Sequence, residues 1–202
     1  KQIDIYTMEV IGIPSLVLME RAAMEVVAVM KQTVKKEDRI LVICGPGNNG
    51  ADGVAAGRIL FLQGFEVAIL LIFDREKCSN EMRTQLSIAE NLGIKVDNSI
   101  RLNEYNIIVD AIFGIGLSKP VEGRAADIID RINNGNHTVY SVDIPSGISA
   151  DNGKMLGTAV KADYTITFGY MKQGLILYPG ALHSGKITVS DIGFPDKALY
   201  HA

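Results

Sequence analysis

A chain of 202 residues with 48% apolar side chains is long enough to form one domain that buries roughly 70% of its unfolded surface, so it needs no disulfide framework to fold. Its 23 acidic and 20 basic residues leave a formal net charge of −3, which excludes the basic field that non-specific nucleic-acid binding demands. The most apolar segment, Leu16 to Met30, carries Glu20, Arg21 and Glu25 and is too short and too charged to span a bilayer.

The chain opens Lys1-Gln-Ile-Asp-Ile-Tyr, without a signal-peptide pattern, so cytoplasm is the expected compartment. The missing initiator Met hints at a processed form or an excised domain. Pro14 suits the first turn of a helix running to about Val34. Arg21, Glu25 and Gln32 share one stripe and nearly everything else is apolar, so this helix should be buried on most sides. Core packing is the first use of its Met- and Val-rich surface, and a second subunit is the other.

The stretch Leu41-Val-Ile-Cys-Gly-Pro-Gly-Asn-Asn-Gly-Ala-Asp-Gly53 organises the rest: an apolar run reads as a buried strand and breaks into a glycine-rich turn. From Val54 to Leu62 the apolar residues recur at helical spacing. A helix N-terminus there offers unpaired N–H groups, and Gly45, Gly47 and Gly50 let a ligand approach the backbone, which makes a seat for phosphate. Cys44 ends the strand as a packing residue, and Cys78 falls in a polar loop as a surface thiol; both suit a reducing compartment.

Phe65 to Phe73 makes a second strand ending at Asp74, and Glu81 to Leu92 a helix stopped by Gly93. Ile107 to Asp110 is a third strand, running into the glycine-rich loop Ala111 to Pro120. A helix of roughly Gly123 to Asn133 follows. Thr138 to Val142 is a fourth strand, ending at Asp143 in the turn Asp143-Ile-Pro-Ser-Gly147. Three later apolar runs, Tyr164 to Phe168, Leu175 to Tyr178 and Ile187 to Val189, read as strands added at one edge. Alternating strands and helices call for an α/β fold, a mostly parallel sheet with helices on both faces. With no repeat, linker or low-complexity segment, residues 1–202 form one domain.

Ligands of such sheets bind outside the carboxyl ends of the strands, where the strand order reverses. An order of second, first, third, fourth strand would set three loops side by side. One pocket would then collect Asn48, Asn49 and Asp52, Asp110 with the Gly114 to Pro120 loop, and Asp143 with Ser146. Gly45 to Gly50 matches G-x-G-x-x-G, with Asp74 at the distance of a ribose-binding acid, but a tight strand-to-helix turn alone can explain those glycines. It does not explain Asn48, Asn49 and Asp52.

Strand-end Asp residues can each cap a turn, yet carboxylates converging on one cleft repel, and a cation among them would relieve that repulsion. Asn49, Asp110 and Ser146 offer only oxygens of protein origin, which favours a hard cation, monovalent or a water-rich divalent one. His137, His183 and His201 are scattered and read as loop or surface residues.

Gly45-Pro-Gly-Asn-Asn-Gly-Ala-Asp-Gly53, Val109-Asp-Ala-Ile-Phe-Gly-Ile-Gly116 and Ser141-Val-Asp-Ile-Pro-Ser-Gly147 resemble three signature segments of the NAD(P)H-hydrate epimerases, the YjeF N-terminal domain family. The opening Gly12-Ile-Pro-Ser-Leu-Val-Leu-Met-Glu-Arg-Ala22, Tyr178-Pro-Gly and Asp191-Ile-Gly-Phe-Pro195 are similar to that family as well, so the match covers nearly the whole chain in order.

 The resemblance implies a three-layer αβα Rossmann-like fold, usually as a homodimer, and a metabolite-repair activity that interconverts the S and R epimers of hydrated NADH and NADPH (NADHX and NADPHX). A companion ATP- or ADP-dependent dehydratase, separate or fused, would then restore the cofactor. By motif position, potassium would be bound by Asn49, Asp110 and Ser146. The hydrated dinucleotide would be held by Asn48, Asn49, Gly50, Ala51 and Asp52, by Gly114, Ile115, Gly116, Leu117, Ser118, Lys119 and Pro120, and by Asp143.

The family more often has a second Gly where Ala51 stands; the added methyl is tolerable if φ there is negative. Asp143 would be the catalytic residue, a general acid as the hydroxyl leaves and a general base as water returns, with ring opening as the other route. Two readings from other classes stand beside this one. A NAD-binding oxidoreductase would use Gly45 to Gly50 and Asp74, and a non-catalytic module of the same fold would serve dimerisation or RNA binding.

Overall fold

Arg39–Cys44 forms β1, and its side chains alternate between two apolar clusters: Ile40, Val42 and Cys44 face one, Leu41 and Ile43 the other. A strand buried on both faces belongs at the centre of a sheet with helices on each side. The computed structural model describes residues 2–195 and has that architecture.

The other strands are β2 (Glu66–Leu71), β3 (Lys95–Asp97), β4 (Ile107–Ala111), β5 (Thr138–Val142), β6 (Tyr164–Phe168) and β7 (Lys186–Ser190). They run in the order β3-β2-β1-β4-β5-β6-β7, and every neighbouring pair is parallel. The order β2-β1-β4-β5 is the one the sequence predicts, and β6 and β7 extend the sheet at one edge. Among the helices, α2 (Ser15–Met30), α3 (Asn48–Leu62) and α4 (Asn80–Asn91) share a cluster on one face, and α5 (Gly123–Asn133) covers the other. Two elements were not expected: α1 (Gln2–Glu9) and the three-residue β3.

Three expectations are corrected. Leu175 to Tyr178 is not a strand: Gln173–Ile176 forms a helical turn, α6, because β7 already pairs with β6 and leaves no sheet edge between them. Leu175 instead packs with Ile144, Ile148 and Ala159. The helix after the first glycine turn starts at Asn48, not Val54; Gly47 is its N-cap, and the Ala51 amide donates to the Gly47 carbonyl at 3.1 Å. Cys78 is buried rather than a surface thiol, because the chain tucks it inward just before the Ser79 cap of α4. Its thiol lies 3.9 Å from the Asp74 carbonyl.

Candidate functional site

β1 sends its chain toward β2 and β4 sends its chain toward β5, so the two loops part above the β1–β4 pair and leave a crevice at the carboxyl ends of the strands. A cavity of about 850 Å³ lies there. Asn48, Asn49 and Asp52 line it from α3, residues 114–119 from the loop after β4, and Asp143 from the end of β5. α1 closes another wall with Ile3, Asp4, Ile5 and Met8.

The glycines of the first turn do two jobs. A Cβ on Gly45 would fall 1.8 Å from the Ile112 carbonyl oxygen, and one on Gly50 would fall 2.1 Å from the Gly45 carbonyl oxygen. Both residues let backbone pack against backbone, which is the tight-turn use. Gly47 alone of the three has open space around its Cβ position and lines the cavity. Ala51 is buried within α3 at negative φ, since Asp143 is the single positive-φ non-glycine among the described residues, so the extra methyl is accommodated.

Below the cavity floor Asp110 is fully buried. Its carboxylate accepts from Ser141 Oγ at 2.7 Å, the Ser146 amide at 2.9 Å, Ser146 Oγ at 2.5 Å and the Ile112 amide at 3.3 Å. Burial pushes the Asp110 carboxyl up, against the hydrogen bonds from Ser146, Ser141 and Ile112 that pull it down. Ser146 Oγ also lies 3.2 Å from the Phe113 carbonyl and accepts from the Phe113 amide at 2.8 Å. Asn49 reaches the same loop: a Cβ on Gly114 would lie 3.0 Å from Asn49 Oδ1. Asn49 Nδ2 is buried without a hydrogen-bond partner. An all-oxygen set with one formal negative charge fits a hard cation better than zinc. No group of three His, Cys, Asp or Glu residues able to hold a metal occurs among the described residues.

Asp143 occupies a strained position. Its φ of 67° lies in the left-handed region, and its amide donates to the Ile166 carbonyl at 2.7 Å. Oδ1 accepts from Thr167 Oγ1 at 3.1 Å and from the Phe168 amide at 3.4 Å. Lys172 Nζ lies 2.6 Å from the same oxygen and also donates to the Phe168 carbonyl at 2.7 Å. Both side chains are largely buried and both line the cavity, which makes a charge-assisted pair of fixed geometry.

Of the residues singled out from sequence, Gly50, Ala51 and Pro120 do not line the cavity; Gly50 and Ala51 are packed beneath it. Asp110 and Ser146 lie below its floor in contact with each other. Asp74, the ribose-binding candidate of an oxidoreductase, is exposed, pairs with Lys77 at 3.2 Å and does not line the cavity. His137 and His183 each place Nδ1 beside a carbonyl, of Tyr105 and Val160, away from the cavity, and His201 lies outside the described residues. Sequence reasoning missed Lys172, Ser141, Thr167 and the whole α1 wall. Lys172 was within reach of the strand-tip rule, which applies to the end of β6 as it does to β1, β4 and β5.

The family model for the YjeF-related protein N-terminus matches residues 15–174. A relative from Oenococcus oeni named NAD(P)H-hydrate epimerase is 49% identical over 195 residues, covering 94% of this chain and 91% of the relative. One of the same name from Weissella koreensis is 43% identical over 202 residues, covering 100% and 91%. The crystal structure of the yeast protein ynu0, YNL200c, superimposes with a TM-score of 0.80 at 24% identity, covering 94% of this chain and 84% of that one, which establishes the shared fold. With the three signature segments meeting at one cavity and the match running along most of its length, the chain belongs to the YjeF-related N-terminal family.

Proposed function

We propose that the chain is an NAD(P)H-hydrate epimerase, interconverting the S and R forms of hydrated NADH or NADPH. The observation that carries the reading is the meeting of Asn48, Asn49, the 114–119 loop and the Asp143–Lys172 pair in one cavity, in a chain whose relatives bear that name over nearly their full length. The hydrated ring carries its hydroxyl on the carbon next to the ring nitrogen, whose lone pair can expel it as water. Asp143 would transfer a proton in this exchange of water, with Lys172 and Thr167 fixing its carboxylate. Such acid–base help is worth ~10²–10⁴ in rate.

The rest of the dinucleotide lies along Asn48, Asn49 and the 114–119 loop, where the start of α3 favours phosphate. Potassium, held by Asn49, Asp110 and Ser146, would supply positive charge beside the buried Asp110 carboxylate and help seat the polar edges of the ligand. Two copies would pair through the exposed apolar residues Leu16, Val17 and Met24 of α2. A dehydratase, separate or fused, would consume the product. No helix among the described residues is long and apolar enough to cross a membrane.

Chromatographic separation of the two NADHX epimers, with and without protein, tests the activity. Asp143→Asn is expected to keep substrate binding and lose accelerated epimerisation; a fully active variant would remove Asp143 from the role.

A further inference from the structure

Epimerisation by loss and return of water has to serve two faces of one carbon. On one face the departing hydroxyl needs a proton; on the other, the arriving water must lose one. Asp143 is held by Lys172 at 2.6 Å and Thr167 at 3.1 Å on a strained backbone, so its carboxylate is committed to one position.

Resting on the epimerase reading, the geometry points to Asp52 as a second proton-transfer residue, the acid on one face of the hydrated ring, with Asp143 as the base on the other. Asp52 is rooted in the buried part of α3, flanked by Ala51 and Gly53, and its exposed part faces the same cavity as Asp143. Unlike that of Asp143, its carboxylate has neither a hydrogen bond nor an ion pair among the described residues. The charged groups around it on the cavity wall are Asp143, Asp4 on α1, Lys172 and Lys119. Burial, followed by the negative charges of Asp143 and Asp4, pushes its carboxyl well above the ordinary range. Two carboxyls in one site, one stripped of partners and one tied to an ammonium, are set for opposite proton roles.

The step balances. Asp52 gives its proton to the hydroxyl, the C–O bond breaks with its electron pair leaving on water, and the ring-nitrogen lone pair forms a π bond to the carbon. On the opposite face a water oxygen forms the new C–O bond, the π pair returns to nitrogen, and Asp143 takes the surplus proton. Asp52 ends ionised and Asp143 protonated, which is the state that runs the reverse direction, and proton exchange with solvent resets the pair.

The test compares Asp52→Asn and Asp52→Glu in the full chain, with NADHX as substrate and initial rates measured across pH 5 to 9. Asp52→Asn is expected to lower kcat by ~10²–10⁴ with KM little changed and to remove the basic limb of the kcat/KM profile, with partial rescue by Asp52→Glu. An Asp52→Asn variant with wild-type kcat and both limbs intact overturns the proposal. A wild type that does not epimerise NADHX overturns the epimerase reading and this proposal with it.

Discussion

Lys172, on the connection after β6, places its ammonium 2.6 Å from Asp143 Oδ1 at the end of β5, although the two residues are far apart in the chain. The same ammonium holds the Phe168 carbonyl, so it acts as a strut as well as a counter-charge. Lys172→Met should therefore lower kcat by about tenfold or more while changing KM less, because the carboxylate loses its fixed orientation. Lys172→Arg should recover part of the loss. Steady-state kinetics with NADHX checks both, and equal damage by the two variants would reduce Lys172 to a packing residue.

Asp110 gathers four donors below the cavity, and two of them come from Ser146. Asp110→Ala should strand several buried donors at about 1–3 kcal/mol each. At about 2–4 °C per kcal/mol for a chain of this size, the unfolding midpoint should fall by at least ~5 °C in a thermal melt. Asp110→Asn preserves shape while removing charge, so it should keep more stability. Any difference between wild-type rates in potassium and in tetramethylammonium, at equal ionic strength, should disappear in that variant.

Gly50 and Gly47 separate fold from site. Gly50→Ala would drive a methyl to 2.1 Å from a backbone oxygen that cannot move cheaply, so it should destabilise the protein and abolish activity together. Gly47→Ala meets nothing within 4 Å and its backbone is extended, so the melting point should hold while the new methyl at the cavity wall raises KM. A Gly47→Ala variant that unfolds would contradict this division.

The raised carboxyl of Asp52 makes a pH prediction with a definite sign. Its folded-state pKa lies above its unfolded value, so the native state binds the extra proton and stability falls as pH rises from the unfolded value through the folded one. Asp52→Asn should therefore melt higher than wild type at pH 8, and the two curves should converge only below about pH 3, under the ordinary carboxyl range, where Asp52 is largely protonated in both states. A constant offset between the curves across this range would remove the titration of Asp52 as its cause.

What the chain determined by itself was local. The apolar runs of β1, β4 and β5, the glycine-rich turns after two of them and the acids at their tips all follow from periodicity and turn chemistry, which act over a few residues. The sheet order around β1 followed from crossover rules, because parallel strands leave few ways to connect. Tertiary packing decided the rest. It drew 173–176 out of the sheet by filling the edge with β7, began α3 at Asn48 and folded α1 over the cavity. It also brought Lys172 to Asp143 and Ser146 to Asp110. Those pairings join residues dozens of positions apart, and no short-range rule encodes a meeting that exists only once the sheet has set its strand tips side by side.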